Sequence, residues 1–129
     1  MFLLRWRDNK LIHTSYFAKL KKLPADLIPI SISIYPPRGW NGLQYKKLAP
    51  SASILSDWKR DGDCKRYIDR YMNDILSKLD PIRVASDLQS LAGEGKDIVL
   101  VCYEKSEDFC HRHLVAEWLD QHGIRCEEY

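Results

Sequence analysis

A thiol, an imidazole and a guanidinium stand side by side at Cys110-His111-Arg112, with a second imidazole at His113. A helix that begins at this point lowers the pKa of a thiol in its first turn, so Cys110 is a candidate nucleophile. His111 is a candidate for proton transfer, and Glu104, just upstream, can orient a ligand or act as acid or base. Arg112 beside the N–H groups of a helix start makes a cradle for phosphate or carboxylate. Each residue also has a plainer reading. Cys110, Leu114 and Trp118 recur at i, i+4 and i+8, the spacing of a packed helix face, and buried cysteine behaves as a small hydrophobe. Packing is favoured over catalysis for Cys110, because no general base is fixed by spacing alone. Arg112 can be absorbed by Glu104, Glu107 or Asp108, Glu104 can be a loop cap with Cys102 as core, and His113 can pair with Glu117.

These residues are placed by a strand, a loop and a helix. Ile98-Val99-Leu100-Val101-Cys102 is a short continuous apolar run, as in a strand buried on both faces, and Leu114 to Leu119 has an amphipathic helical pattern. The loop between them belongs at the carboxyl edge of a parallel sheet, where α/β proteins hold ligands. Two further strand ends deliver polar groups to that edge. A first strand over residues 10–14 ends in His13, Thr14, Ser15 and Tyr16, and a short helix to Leu23 follows. A second strand, residues 27–35, alternates Ile28, Ile30, Ile32 and Ile34 with small residues and ends in Tyr35. Beyond it, residues 36–50 carry three prolines and two glycines and read as a long loop at the site. Its Arg38 and Trp40, with Tyr35, combine a cation with rings suited to stacking on a base or sugar. Arg38 and Arg112 are therefore expected on one cleft, with Thr14 or Ser15 on its wall.

The remaining chain supplies helices. Ser51 or Ser53 caps a helix to about Arg60, and Asp61-Gly62-Asp63 is a turn. Tyr67, Ile68, Tyr71, Met72, Ile75, Leu76 and Leu79 form one helical stripe over residues 64–79. Asp80-Pro81 starts a further helix that ends at Gly93 or Gly95. Gly123 stops the helix after Cys110, and residues 124–127 form a last short strand. Four strands and about five helices give an α/β fold, a single small domain over residues 1–129 with a mainly parallel short sheet flanked by helices.

The stretch from Cys102 through Cys110-His111-Arg112-His113 to Leu119 resembles the signature of the domain of unknown function 488 family. Residues 30–39 and 45–51 agree with it, so the resemblance runs from about residue 11 to the end, with residues 1–10 as an N-terminal extension. It implies a small α/β domain and names no reaction.

Composition narrows the classes. A formal charge of +2 over 129 residues is no polycation, and the early Phe2-Leu3-Leu4 run is broken by Arg5, Arg7 and Asp8. No membrane association is expected, and the chain reads as cytoplasmic. Cys64, Cys102, Cys110 and Cys126 contain no C-x-x-C pair, so disulfides are not expected. Cys102, Glu104, Cys110 and His111 match no common zinc spacing, and neither metal nor cofactor is expected. The leading reading is an enzyme or enzyme-like domain acting on a nucleotide-related or phosphorylated substrate, with Arg38 and Arg112 holding a small anionic ligand. The alternative is a non-catalytic nucleotide- or nucleic-acid-binding module, extended by Lys59, Arg60, Lys65, Arg66 and Arg70. A third is a redox-sensing thiol at Cys110.

Overall fold

The computed structural model describes residues 12–104 and 109–129. It is a small α/β domain built on five strands: β1 (Ile12–Tyr16), β2 (Ile28–Ser31), β3 (Leu43–Gln44), β4 (Ile98–Cys102) and β5 (Cys126–Glu128). Their order is β3-β2-β4-β1-β5, and every neighbouring pair is parallel. Four α-helices flank the sheet, α1 (Ala52–Asp61), α2 (Cys64–Arg70), α3 (Pro81–Ala92) and α4 (His111–Gln121). None of the helices described is long and apolar enough to cross a membrane.

Strand β4 is central and wholly buried, as its unbroken apolar run requires. Alternation divides its side chains between two layers. Ile98, Leu100 and Cys102 enter the large core with Tyr71, Leu88, Val115 and Leu119. Val99 and Val101 pack with Leu27 in a smaller cluster, bordered by Phe17, Leu20, Leu23 and Trp40. The helix starts follow their capping residues. Ser51 Oγ accepts the Ile54 N–H, Asp63 accepts that of Arg66, and Asp80 accepts that of Ile82 ahead of Pro81.

Several elements depart from the sequence reading. The strand expected over residues 27–35 stops at Ser31, because Ser31 Oγ takes the Ser33 N–H at 3.3 Å and the Ile32 carbonyl turns to His111. The 36–50 loop contributes a fifth strand, β3, whose two residues pair with Ile30 and Ser31 and are too few to carry a period. The helix expected over residues 64–79 becomes α2, a five-residue π-helical stretch (Tyr71–Ile75) and a 3₁₀ turn (Leu76–Lys78). The first strand is described from Ile12 to Tyr16, ending two residues beyond residue 14, with Lys10 and Leu11 of the expected strand outside the described residues, and the helix after it is 3₁₀, Phe17–Lys22. The last strand begins two residues late, since the Ile124 N–H still closes the end of α4 on Leu119.

Candidate thiol site at the carboxyl edge

The ends of β2 and β4 open into a cavity of about 380 Å³. Ser33, Ile34 and Tyr35 line it from the chain leaving β2, and Cys102, Tyr103 and Glu104 from the chain leaving β4. Phe109, Cys110 and His111 contribute from the start of α4, and Pro50, Leu55, Trp58, Lys59 and Tyr67 from the region of α1 and α2. The aromatic rings are braced against one another. Phe109 meets Trp58 at 5.0 Å and Tyr67 at 4.9 Å between centroids, and the Tyr103 hydroxyl donates to the Tyr35 carbonyl at 2.6 Å, tying the two strand-end loops together.

Two sulfurs lie on the cavity wall, where Cys102 Sγ and Cys110 Sγ meet. No disulfide was expected, and the two Cα atoms stand 7.5 Å apart, wider than a relaxed disulfide spans, yet a strand end and a helix start converge across the intervening loop, a proximity that a separation of eight residues does not announce. Cys110 is also the capping residue of α4 rather than part of its first turn, with extended backbone (φ −154°). Both cysteines are nearly inaccessible, 1% and 2% exposed, so reagents must reach them through the cavity.

His111 Nε2 lies 2.8 Å from the Ile32 carbonyl oxygen. A carbonyl only accepts, so Nε2 carries the proton and Nδ1 presents its lone pair. Nδ1 is 3.7 Å from Cys110 Sγ. Burial pushes the His111 pKa down to about 4, only partly offset by the Ile32 hydrogen bond, so the ring is neutral at pH 7. Tyr71 braces it edge-on at 5.5 Å, and its own buried hydroxyl donates to the Leu48 carbonyl at 2.6 Å. Burial likewise raises the pKa of Tyr67.

Arg112 does not open onto the cavity. Its side chain is fully buried and its Nε and one terminal nitrogen contact the Glu128 carboxylate at 2.9–3.3 Å. The other terminal nitrogen donates to the Glu104 carbonyl at 2.5 Å and to Cys102 Sγ at 3.1 Å. The guanidinium lies over the Tyr16 ring, 5.7 Å from its centroid. The expected cleft shared by Arg38 and Arg112 is not formed: Arg112 closes on Glu128, which the sequence reading did not single out, and exposed Arg38 is not among the lining residues.

The other expected site residues divide. Cys110, His111, Glu104 and Tyr35 line the cavity. Thr14 and Ser15 do not, and strand alternation sends them to opposite faces of the sheet. Thr14 donates to Glu128 at 2.5 Å, whereas Ser15 Oγ is buried without a hydrogen-bond partner among the described residues. Trp40 packs on Phe17 at 5.3 Å and donates to the Leu43 carbonyl at the border of the small cluster. The basic helix face is largely paired within the fold: Arg60 and Arg70 meet Asp57, Lys65 meets Asp69, and Arg66 meets Asp61.

Sequence reasoning missed Trp58, Phe109 and Lys59 as cavity residues, whereas Tyr67, read as part of the core stripe, lies in the core and lines the cavity as well. The available signal was the aromatic excess near the two segments flanking the Asp61-Gly62-Asp63 turn. It also set a metal aside for want of a spacing pattern, yet Cys102, Cys110 and His111 bring one donor atom each within 4.8 Å of one another. A family model described as the active DUF488-N3 subclade, DUF488-N3a, matches residues 12–123. No curated protein and no solved structure matches the chain.

Proposed function

We propose that this chain, which belongs to the DUF488-N3a family, is a thiol-dependent enzyme in which Cys102 and Cys110 form a two-electron centre beside a pocket for a flat ring. The observation that carries the reading is the sulfur pair on the cavity wall, with a guanidinium N–H on one sulfur and an unprotonated imidazole nitrogen beside the other. A cation that donates to sulfur favours thiolate over thiol, which makes Cys102 the nucleophile of the reduced pair. Cys110 is the resolving thiol, with His111 Nδ1 placed to accept its S–H hydrogen bond.

On a disulfide-bonded substrate the steps balance as follows. The Cys102 thiolate attacks one substrate sulfur and forms a mixed disulfide, and the first product leaves as a thiolate. The Cys110 thiol, aligned by His111 Nδ1, passes its proton to the first product thiolate as Cys110 Sγ attacks Cys102 Sγ, and the second product is expelled as a thiolate that takes its proton from solvent. Two electrons have passed from the dithiol to the substrate, and the Cys102–Cys110 disulfide remains for an external dithiol to reduce. Tyr35, Trp58, Tyr67 and Phe109 favour a planar ring, as in a nucleobase, over a bare phosphate. A phosphate on such a ligand is assigned to Lys59, because Arg112 is held by Glu128.

The test is alkylation of the reduced protein by iodoacetamide across pH, read site by site by mass spectrometry. Cys102 should react with an apparent pKa below the ordinary thiol range, ahead of buried Cys126, and nucleosides should protect it. Inert Cys102 and Cys110 in the folded, reduced protein would remove the thiol mechanism. Ring ligands that bind with both thiols inert would favour the non-catalytic binding module instead.

A further inference from the structure

Reduction of the Cys102–Cys110 pair leaves two sulfurs and one imidazole nitrogen facing a common point. One ligand atom from each of Cys102, Cys110 and His111 lies within 4.8 Å of the other two, and all three residues are buried. Donors around one tetrahedral zinc ion sit roughly 3.5–3.8 Å apart, as bond lengths near 2.0–2.3 Å require, so the reduced sulfurs must part by about 1.5 Å and the imidazole nitrogen move by no more than about 1 Å. His111 Nδ1 already lies 3.7 Å from Cys110 Sγ.

The surroundings are those of a ligand set. The Ile32 carbonyl holds Nε2–H and so directs the lone pair of Nδ1 to the sulfurs, the outer-shell arrangement typical of metal-bound histidine. Arg112 donates to Cys102 Sγ, which favours the thiolate that a metal needs. All three residues also line the cavity, so a fourth coordination position faces it. Two thiolates and a neutral imidazole balance the charge of a divalent ion and are soft enough to select zinc over magnesium or calcium.

We propose that the dithiol state binds one Zn²⁺ through Cys102 Sγ, Cys110 Sγ and His111 Nδ1, and that the bound ion silences the thiols until it is removed. The inference rests on the reducible sulfur pair of the preceding reading and adds a regulator to it. Binding forms two Zn–S bonds and one Zn–N bond and releases the two thiol protons to solvent. The disulfide state has no thiolate to offer, so a phosphine or dithiol must first supply two electrons.

The experiment uses the full chain, reduced with a phosphine, desalted without oxygen and titrated with Co²⁺ as a spectroscopic probe. Expected are one Co²⁺ per chain, a thiolate-to-cobalt charge-transfer band with tetrahedral ligand-field bands, and displacement by one equivalent of Zn²⁺. Cys64→Ser should bind as well as the unaltered chain, because Cys64 is exposed and outside the cluster. Cys102→Ser and Cys110→Ser should weaken binding by roughly 10²-fold or more, at least what loss of an outer-shell partner costs. The oxidised protein, a control that needs no substitution, should show no thiolate band. Absence of that band in the reduced chain, its loss in Cys64→Ser, or its persistence after oxidation would each overturn the proposal. Fast Cys102 alkylation with no cobalt bound would discard the zinc site and keep the enzyme reading. Cobalt bound by a protein whose metal-free thiols are inert would keep the metal site but overturn both its silencing role and the enzyme reading.

Discussion

Glu128→Gln isolates the ion pair that ties the last strand to the sulfur site. The Arg112 side chain is 0% exposed and that of Glu128 is 27% exposed, and their contacts run from 2.9 to 3.3 Å. Glutamine preserves shape while removing the charge and offering one acceptor oxygen in place of two. Removing one partner of a fully buried pair costs about 3–5 kcal/mol, because the other charge is left uncompensated. The partial exposure of Glu128 and the remaining amide oxygen lower that to about 2–3 kcal/mol. With an unfolding entropy near 2.1 cal/mol/K per residue over 129 residues, the melting temperature should fall by about 7–11 °C. Urea unfolding and calorimetry at pH 7 measure both quantities. The double variant Arg112→Met, Glu128→Gln should recover part of the loss, since no buried charge remains. A single-variant loss under about 0.5 kcal/mol, or purely additive losses in the double variant, would refute a desolvated, mutually dependent pair.

Alkaline pH should destabilise the protein through its buried acids. Burial raises the Cys126 pKa from 9.0 to about 12 and shifts the phenols of Tyr45, Tyr67 and Tyr71 upward as well. The unfolded chain loses these protons first, so the stability is fully present below about pH 9 and is lost as pH rises towards 12. Cys126 alone accounts for up to about 4 kcal/mol of that loss, and urea midpoints that stay level from pH 8 to 11 would contradict it. Gly42→Ala should disturb the small cluster, because a Cβ there would lie 2.7 Å from the Trp40 ring and push it off Phe17. A loss of about 1–3 kcal/mol with altered near-UV dichroism is expected, and an unchanged spectrum would show that the ring does not move.

The elements that carried their own local signals were legible in the sequence. The apolar run of β4, the Ser51 and Asp80 caps and the Gly62 turn each reflect interactions within a few residues, and the structure places them where those interactions act. What escaped depends on neighbours distant in the chain. Strand β3 exists because Leu43 and Gln44 meet β2, and β2 ends early because His111, 79 residues away, takes the Ile32 carbonyl. At the site, the crowding at the carboxyl edge was legible, and Cys110, His111, Glu104 and Tyr35 all line the cavity. The partner of Arg112 was not, because the nearby Glu104, Glu107 and Asp108 look equally suitable in sequence. Only the pairing of β5 with β1 sets Glu128 level with Thr14.

The strand order explains why the cavity lies between β2 and β4 rather than elsewhere along the same edge. In the order β3-β2-β4-β1-β5, the chain leaving β2 turns outward to β3, whereas the chain leaving β4 passes beyond β1 to β5. Connections that diverge from adjacent parallel strands leave a crevice at their carboxyl ends. Here the crevice is walled by Tyr35 on one side and Cys102 and His111 on the other. The β4–α4–β5 connection also carries Arg112 on α4 and Glu128 on β5, so the path that opens the crevice supplies the ion pair behind it. Arg112 thereby trades reach into the cavity for a fixed N–H on Cys102 Sγ. A guanidinium anchored in this way can bias a sulfur towards thiolate without competing for the ligand. On that argument, Glu128→Gln should raise the apparent pKa of the reduced Cys102 as well as lower stability. If the alkylation profile of Cys102 is the same with and without Glu128, the pair serves only the fold, and the acidity of that thiol has another source.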